Sequence, residues 1–443
     1  MAPQDFRAKG QDDKLLAAAR RIAALIREGA DLPFSLRLWD GTLEPLGSAP
    51  QPGLAIAVNS SGVLPSLLRW PSLDRVIRHY AHGRIDFEGG TLIDLGQPFA
   101  LDNKISKRLK KINKMALLKA AAPFLTAKAD DPDESRGFAG DAEGAGRADG
   151  DNKRFIQFHY DVGNAFYQLF LDPEMQYSCA YYPTWETSLE DAQVAKLDMI
   201  CRKLRLKPGD RMLDIGCGWG GLLAHAVKNY GVKGHGVTLS EEQLAFARAK
   251  MERLGIAENV TLELRDYLTL KGQRFDKIAS IGMYEHIGLK NISTYFRHVR
   301  HLLAEDGLFL NHAISRGAKK KKTRFSKRPE QRALQKYIFP GGELDDIGHS
   351  VAAMEQAGFE VHDVEGWREH YQKTTKIWCE RLTERRAEAI DLVGPETYRI
   401  WVAYLGGCSL AFQRGSARIF QTLASKSAKG PSRVPPSRAD LYR

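Results

Sequence analysis

Residues 211–221 read RMLDIGCGWGG, an apolar run that ends in an acid and opens into glycine-rich sequence. The apolar run predicts a buried strand, and the helical pattern GLLAHAVKNY that follows at 221–230 predicts a helix. Glycines between the two allow the backbone to turn tightly and to approach a ligand. A strand, a glycine-rich turn and a helix in this order predict a nucleotide-like cofactor.

Four further strand candidates lie on the carboxyl side of this stretch and alternate with helical patterns. They are GHGVTLS, VTLELRD, FDKIASIG and GLFLNHAI, which begin at residues 234, 260, 275 and 307. Strands that alternate with helices are typical of a doubly wound α/β sheet, and ligands of such sheets bind at the carboxyl ends of the strands. We therefore predict this fold class and expect the site at the residues that follow each strand.

Polar and aromatic side chains occupy the ends of the last four strands: Thr238, Gln243, Asp266, Tyr267, Glu285 and His312. The hydroxyl and amide groups after the second strand would bind a ribose, because no acid ends that strand. The carboxylate after the third strand would bind an adenine amino group, and the aromatic ring beside it would stack on the base. The carboxylate after the fourth strand and the imidazole of the fifth are predicted to meet at one site.

The composition bounds the class of protein. The chain has 443 residues, enough for two or three domains, and its 43% hydrophobic and 27% charged residues are typical of folded proteins. No apolar stretch approaches the roughly 18 residues that span a bilayer, and the polar start MAPQDFRAKGQDD lacks the apolar core of a secretion signal. We therefore expect a cytoplasmic protein. The cysteines form no CxxC pair, which predicts neither a metal site nor a disulfide framework: Cys179, Cys201, Cys217, Cys379 and Cys408.

Changes in composition along the chain predict four regions. Residues 1–126 read as a smaller N-terminal α+β domain. Residues 127–153 hold eight acids and little apolar surface, which predicts a flexible linker. The catalytic domain then spans 154–424, and the tail at 425–443, rich in basic residues, Ser and Pro, is predicted to be disordered.

The net charge of +11 indicates a polyanionic partner, either nucleic acid or an anionic membrane. Residues 104–119 (KISKRLKKINKMALLK) contain seven basic residues and no acid, and their apolar residues recur on one helical face. This basic amphipathic helix would adsorb to anionic lipid headgroups, or else pack its apolar stripe on a neighbouring domain. Residues 319–328 (KKKKTRFSKR) predict either a phosphate-contacting loop or a solvated one.

Several motifs in a fixed order resemble one enzyme family. They are HYDVGN, QYSCAYY, LDIGCGWGG, GVTLS, the MYEH stretch, YIFPGG and HYQKTT, which begin at residues 159, 176, 213, 236, 283, 337 and 370. LDIGCGWGG resembles motif I of class I S-adenosylmethionine (SAM) methyltransferases. The whole set resembles the cyclopropane-fatty-acyl-phospholipid synthases and the related mycolic acid cyclopropane synthases, over about residues 155–424.

The resemblance implies a class I SAM methyltransferase fold of Rossmann type with SAM as co-substrate. The residues implied to bind SAM are Tyr177, Ser178, Asp214, Gly216, Gly218, Thr238, Gln243, Asp266 and Tyr267. The implied reaction transfers the SAM methyl group to a cis double bond of an unsaturated phospholipid acyl chain. The resulting carbocation closes a cyclopropane ring when a bound bicarbonate removes a proton. The implied holders of bicarbonate are Cys179, Glu285, His312, Tyr371 and the backbone amide of Ile314.

Two differences from the family leave the product open. The chain reads HAIS at 312–315 where familiar members read HTIG, and its acidic linker is long. The alternatives are the same methyl transfer giving a methyl-branched or methylene-bearing acyl chain, and a non-catalytic lipid-binding protein. The sequence beside the SAM strands has no NPPY-like motif and no cysteine nucleophile of the kind that nucleic-acid methyltransferases use. This argues against a nucleic-acid substrate. The expected partner is the anionic inner face of the cell membrane, and a homodimer is left open.

Overall fold

The computed structural model describes residues 3–131, 137–138, 151–160, 162–318, 329–430 and 434–442, with side chains described except at 3–11, 103 and 151–153. Contacts between residues divide the chain into two units. The first comprises Met1–Gly137, Arg328–Ala333 and Arg386–Arg414, and the second comprises Phe138–Lys327, Leu334–Arg385 and Gly415–Arg443. The basic segment at 319–328, most of the predicted linker and Asp161 of the HYDVGN motif lie outside the described residues.

The second unit contains a mixed seven-stranded sheet. Its strands are β5 Arg211–Ile215, β6 Lys233–Thr238, β7 Val260–Leu264, β8 Phe275–Ile281, β9 Leu303–Arg316, β10 Phe359–Gly366 and β11 Ala417–Lys426. Their order is β10-β11-β9-β8-β5-β6-β7. The five strands from β9 to β7 in this order are parallel, and β11 pairs antiparallel with both β9 and β10. The five strands predicted from the sequence and the α/β fold class are therefore confirmed.

Helices cover both faces of this sheet. The helices of the second unit are α7 Asp151–Tyr160, α8 Asn164–Tyr167, α9 Leu189–Leu204, α10 Gly221–Tyr230, α11 Glu241–Arg253, α12 Ile292–Leu302, α14 Ile347–Gln356 and α15 Arg368–Glu384, while α13 Pro329–Tyr337 has residues in both units. Strand β5 shows why two layers form, because Met212 packs with α9 and α10 whereas the next residue, Leu213, packs with α12. Successive side chains of a strand point to opposite faces, so an uninterrupted apolar strand needs apolar cover on both.

The first unit is a small α+β fold built from two separated parts of the chain. Its four-stranded sheet has the order β2-β1-β3-β4, with β1 Ser35–Arg37, β2 Leu43–Pro45, β3 Ala55–Val58 and β4 Ile85–Glu88. Its helices are α1 Pro3–Ala30, α2 Val63–Arg69, α3 Leu73–Ala81, α4 Leu92–Leu101, α5 Asn103–Leu109, α6 Lys114–Thr126 and α16 Arg386–Gln413, the last interrupted at Gly394. Helix α16 packs on α3 and α4, although it was predicted to belong to the catalytic domain.

The basic segment at 104–119 differs from its prediction as a single helix. The chain forms α5 and α6 instead, because Asn113 leaves the helical conformation and its side chain accepts hydrogen bonds from the amides of Met115 and Ala116. Asparagine favours this N-cap position over a helix interior. The predicted apolar stripe is therefore split: Ile105 is buried in the core of the first unit, whereas Met115 is exposed.

The carboxyl-terminal region is more ordered than predicted. Strand β11 extends to Lys426, inside the tail that was predicted to be disordered from residue 425. Further along, the described residues include a 3₁₀ turn at Ala439–Leu441, whose Leu441 side chain is buried. Arg202 on α9 donates a hydrogen bond to the carbonyl of Leu441, and ion pairs join Arg205 to Asp440 and Arg438 to Asp363. Composition alone does not reveal such contacts.

Candidate active site

A cavity opens at the carboxyl ends of β5, β6, β7 and β8. All of the residues predicted to bind SAM line this cavity: Tyr177, Ser178, Asp214, Gly216, Gly218, Thr238, Gln243, Asp266 and Tyr267. Their positions follow from the parallel sheet, since the carboxyl ends of parallel strands meet at one edge. The site residues that follow separate strands are thus brought together as predicted, in a space of the right chemistry for a nucleoside.

The glycine-rich turn after β5 has the backbone conformation that its sequence predicts. Gly216 and Gly218 have φ angles of +77° and +53°, which side chains other than glycine rarely adopt. The amides of Gly216 and Cys217 both donate to the carbonyl of Val237, at 2.9 and 3.0 Å, and so tie the turn to β6. A Cβ atom at Gly216 would lie 3.3 Å from Met283, so the turn also passes close to the loop after β8.

The polar groups after β6 and β7 are arranged by their own hydrogen bonds. The Thr238 hydroxyl donates to Oε1 of Gln243 at 2.9 Å, and the Gln243 amide also forms a hydrogen bond with Tyr160. Asp266 caps the 3₁₀ turn Tyr267–Thr269, because its Oδ1 accepts from the amide of Leu268 at 2.9 Å. These bonds hold a hydroxyl, an amide and a carboxylate along one wall of the cavity.

Sequence reasoning missed Lys196, a fully buried lysine of α9 that lines the same cavity. Its Nζ donates to Oε1 of Gln176 at 2.5 Å and to Oγ of Ser178 at 3.0 Å. Burial lowers the pKa of Lys196 to about 8, and the nearby carboxylates of Asp172 and Asp214 oppose this shift. Burial also raises the pKa of Asp214 to about 7, with Lys196 opposing it. A buried lysine is rare unless it is paired. Lys196 therefore places a paired positive charge in the wall of the cavity.

The motifs that are far apart in sequence contact one another around this cavity. Asn164 of HYDVGN accepts a hydrogen bond from the indole of Trp219 at 2.7 Å, and Nδ1 of His159 lies 3.0 Å from the carbonyl of Ile338 in YIFPGG. The HYQKTT motif meets QYSCAYY, because Nδ1 of His370 accepts from the amide of Tyr182 at 3.0 Å. The motifs thus form one continuous structure rather than separate surface loops.

The five residues predicted to hold bicarbonate form a chain of contacts on β9 and α15. The Ile314 amide donates to Oε1 of Glu285. His312 lies two residues earlier on β9, and its ring packs edge-on against Trp367, with 5.2 Å between ring centroids. Trp367 links to the other two residues, since its carbonyl lies 3.8 Å from the Cys179 thiol and accepts from the Tyr371 amide at 3.1 Å.

Burial controls the charge of each titratable group in this set. It raises the pKa of Glu285 to about 7, an effect opposed by the bond from Ile314. It holds the pKa of His312 well below its usual range, with the cations Lys196 and Lys203 adding to the effect, so the imidazole is neutral near pH 7. Burial also raises the pKa of Cys179 far above its usual range, so this thiol is a hydrogen-bond donor and not a thiolate nucleophile.

Two buried polar atoms of this set have no hydrogen-bond partner among the residues described, namely Oε2 of Glu285 and Nε2 of His312. A buried polar atom without a hydrogen-bond partner lowers the stability of the fold, so the presence of these two atoms in one set indicates a small polar ligand. A carboxylate oxygen that accepts and an imidazole nitrogen that donates fit hydrogencarbonate, which offers both a hydroxyl and acceptor oxygens. The Ile314 amide donates to Glu285 in this structure, and its role toward the anion stays a prediction.

Within the described ranges, no group of three or more His, Cys, Asp or Glu side chains is placed to hold a metal ion. The search for membrane spans covered those ranges too and found no helix with the length and apolarity to cross a bilayer.

Comparisons with known proteins place the chain among lipid-modifying methyltransferases and cyclopropane synthases. The family model described as mycolic acid cyclopropane synthetase matches residues 149–422. The chain is 38% identical to a probable fatty acid methyltransferase of Pseudomonas putida, over 93% of this chain and 97% of that protein. It is 41% identical to the cyclopropane-fatty-acyl-phospholipid synthase of Escherichia coli, over 62% of this chain and 69% of that one. A solved structure of mycolic acid cyclopropane synthase CmaA1, complexed with SAH and CTAB, superposes with a TM-score of 0.58 at 32% identity, over 62% of this chain and 98% of that chain.

Proposed function

The chain belongs to the mycolic acid cyclopropane synthetase family of SAM-dependent methyltransferases, and from this premise we propose that it converts unsaturated phospholipid acyl chains into cyclopropane acyl chains. The methyl group of SAM is transferred to a cis double bond, and a proton of that methyl group is then lost as the ring closes. The product side holds S-adenosylhomocysteine, a proton and a lipid with one additional carbon.

The observation that carries this proposal is the position of Glu285. The carboxylate lies on the short 3₁₀ turn Tyr284–His286, between Met283 and His286, which both line the SAM cavity. It is buried, and one of its oxygens has no partner within the described part of the chain. An acceptor atom therefore lies directly beside the cavity predicted to hold the methyl donor, where a methylene proton has to be removed.

The site needs no protein nucleophile for this reaction. The π electrons of the alkene attack the methyl carbon as its bond to the SAM sulfur breaks, which leaves a carbocation on the acyl chain. The electron pair of a methyl C–H bond then forms the second C–C bond. Hydrogencarbonate, when bound, supplies the basic oxygen for the departing proton. The residues of the chain would orient that anion: Glu285 would accept its hydroxyl, the neutral side chains of His312 and Cys179 would complete the site, and the buried surroundings would exclude water.

We propose further that the enzyme works at the cytoplasmic face of the membrane and binds anionic lipid through α5 and α6. Both helices are exposed and basic, and they carry no acidic residue. Basic residues near an anionic surface each contribute about 1 kcal/mol, and salt screens this attraction. Binding to anionic vesicles is expected to fall steeply as salt is raised from about 50 to 500 mM. Binding that does not change with salt would rule out this mode of docking.

The test of the proposed reaction is incubation of the purified protein with methyl-labelled SAM and vesicles of cis-unsaturated phospholipid. The fatty acids are then released and examined by NMR. We expect upfield proton signals from a cyclopropane ring whose methylene carbon carries the label. If no label enters lipid while SAM is bound, the chain is a lipid-binding protein instead, and the proposal fails.

A second candidate is methyl transfer without ring closure. The relative from Pseudomonas putida, which aligns over 93% of this chain, is described as a probable fatty acid methyltransferase. SAM with a fully deuterated methyl group separates the two reactions. Ring closure removes one deuterium from the transferred carbon, whereas a methyl branch keeps all of them. A methylene-bearing product also loses one deuterium, and it is recognised by an olefinic deuterium signal in place of the upfield ring signal.

A further inference from the structure

Gln421 and His312 form a buried pair across two strands of the sheet. They are directly opposite each other in the antiparallel register of β11 and β9, so their side chains share one face. Nε2 of Gln421 lies 3.0 Å from Nδ1 of His312, and both residues are almost completely buried. Neither the motifs nor the predicted strands included Gln421, because β11 itself was not predicted.

In the orientation that the Gln421 amide has in the structure, this contact indicates which ring nitrogen of His312 carries the proton. The NH₂ group of a glutamine can only donate, so Nδ1 of the imidazole must accept and cannot carry a hydrogen. A neutral imidazole has one N–H, which must then be on Nε2. Nε2 has no hydrogen-bond partner elsewhere in the described chain, so this donor is available to a ligand.

Glu285 places a hydrogen-bond acceptor on an element next to this donor. Glu285 is bonded to the amide of Ile314, two residues beyond His312 on the same strand, which is about 7 Å along β9 at a rise of roughly 3.3 Å per residue. The end of β8 reinforces the arrangement, because the Gly282 amide donates to the His312 carbonyl at 2.9 Å, close to the turn that carries Glu285. One donor and one acceptor are thus held on neighbouring elements.

We propose that Gln421 is a positioning residue that locks His312 in its Nε2–H form, so that an N–H donor and the Glu285 oxygen together receive hydrogencarbonate. The inference rests on the proposed function for the identity of the anion, but the tautomer is a property of the protein alone. Loss of the Gln421 amide would release the ring to donate from Nδ1 and would present a lone pair, which repels an anion, at Nε2.

The experiment is nitrogen NMR of the full-length protein labelled with ¹⁵N in the histidine rings. The His312 signals are identified by their loss in the His312→Gln variant. Before any ligand is added, the expected result is a neutral ring with its proton on Nε2, and hydrogencarbonate is expected to shift that signal. A ring protonated on Nδ1, or on both nitrogens near pH 7, would overturn the inference, and this decision needs no variant of Gln421.

The variant Gln421→Leu tests the cause of the lock. We expect the Nδ1–H form to appear and the affinity for hydrogencarbonate to fall about tenfold, while the affinity for S-adenosylhomocysteine is unchanged. The matched control is Thr422→Val, which alters the next residue of β11 on the opposite face. A pure Nε2–H ring in Gln421→Leu would show that Gln421 does not set the tautomer.

Failure of the inference and failure of the proposed function give different results. If label from SAM enters lipid but the His312 ring carries its proton on Nδ1, the reaction stands and the role of Gln421 is refuted. If the ring is Nε2–H but hydrogencarbonate leaves its signals unchanged and no label enters lipid, the tautomer lock stands and the proposed function is refuted.

Discussion

At the scale of single residues, burial determines how the site responds to pH. The pKa of Glu285 is raised from 4.5 to about 7, because its carboxylate is removed from water and the backbone bonds from Ile314 and from its own amide offset this only in part. The ionised form is therefore less stable in the folded protein than in the unfolded chain. Below pH 4.5 the carboxyl group is protonated in both the folded and the unfolded chain, so Glu285 does not lower the free energy of unfolding. The loss of stability grows as the pH rises and is complete above pH 7.

Glu285→Gln is consequently expected to raise the stability of the protein while lowering its activity. The neutral amide can still accept from Ile314 but avoids the cost of ionisation, so the variant should be more stable than the wild type by about 3 kcal/mol at pH 8 and equally stable at pH 4. Methyl transfer should fall at least a hundredfold. Thermal unfolding at the two pH values and the lipid-labelling assay measure these effects. Glu252→Gln, at an exposed position of α11, is the control, and an active Glu285→Gln enzyme would refute the proposed base site.

Lys196 provides a second prediction at this scale. Its ammonium group orients Gln176 and Ser178, and it is the cation that opposes the raised pKa of Asp214. Lys196→Met leaves these groups without their donor, and we expect the affinity for S-adenosylhomocysteine to fall by ten- to a hundredfold, since a hydrogen bond to a charged group contributes about 1.5–3 kcal/mol. Isothermal titration calorimetry measures the affinity.

The matched control for this prediction is Lys203→Met. Lys203 is also a fully buried lysine of α9, but it pairs with Glu365 and does not line the cavity. Its loss should lower the melting temperature while leaving the affinity for S-adenosylhomocysteine within about twofold of the wild type. If the two variants lose affinity equally, the effect belongs to buried lysines of α9 in general and not to the contacts of Lys196.

At the scale of elements, the sequence predicts what local patterns encode. Parallel strands such as β5 and β8 were found because a mostly apolar run followed by a polar residue is a strong local signal. Strands β10 and β11 were missed because neither is an uninterrupted apolar run, and several of their buried side chains are polar, such as Gln421 and Thr422. What these side chains bind is far away in sequence, so no local pattern reveals it.

The same reason explains which site residues were found. Thr238, Asp266 and Glu285 directly follow strands, so topology alone brings them together. Lys196 lies in the middle of α9 in a sequence that reads as an ordinary amphipathic helix, where a lysine is normally exposed. Its burial depends on the QYSCAYY segment, which folds over it. A polar residue whose partners come from another element is visible only after the elements have been assembled.

Helix α6 yields a prediction about membrane binding. Met115 and Leu118 are more than half exposed on a helix whose neighbouring residues Lys111, Lys114 and Lys119 are basic. Apolar side chains among cations are typical of helices that lie in the headgroup region. We expect Leu118→Glu to weaken binding to anionic vesicles by about tenfold or more, through loss of apolar burial and addition of a negative charge.

Vesicle sedimentation at low and high salt measures this effect. Val194→Glu is the control, because Val194 is also an exposed apolar residue but lies on α9. If α6 contributes only by charge, Leu118→Glu will weaken vesicle binding no more than Lys114→Ala does. That result would contradict insertion of apolar side chains.

At the scale of the whole molecule, the amino-terminal unit is not a continuous stretch of chain. Helix α16 enters it from the far carboxyl side, and the two parts are joined by specific contacts. Arg399 binds Asp86 with two hydrogen bonds, at 3.0 and 2.7 Å, and lies over the ring of Tyr80. Ala403 packs on the cluster of Val58, Val63, Tyr80 and Ile85. The predicted catalytic domain at 154–424 therefore includes a helix that belongs to the amino-terminal unit.

We expect the fragment 1–137 to lack a cooperative unfolding transition, because removal of α16 exposes the apolar surface of α3 and α4 and leaves Asp86 without its cation. Joining residues 386–414 to the fragment through a flexible linker should restore a sharp transition in circular dichroism. The same fusion with Arg399→Met is the matched control, and it should be less stable by about 2 kcal/mol because a charged, two-bond contact is lost. A cooperative transition of the fragment alone, at the midpoint of the fusion, would show that α16 adds nothing to the unit; it would then be a helix that merely rests on a domain complete without it.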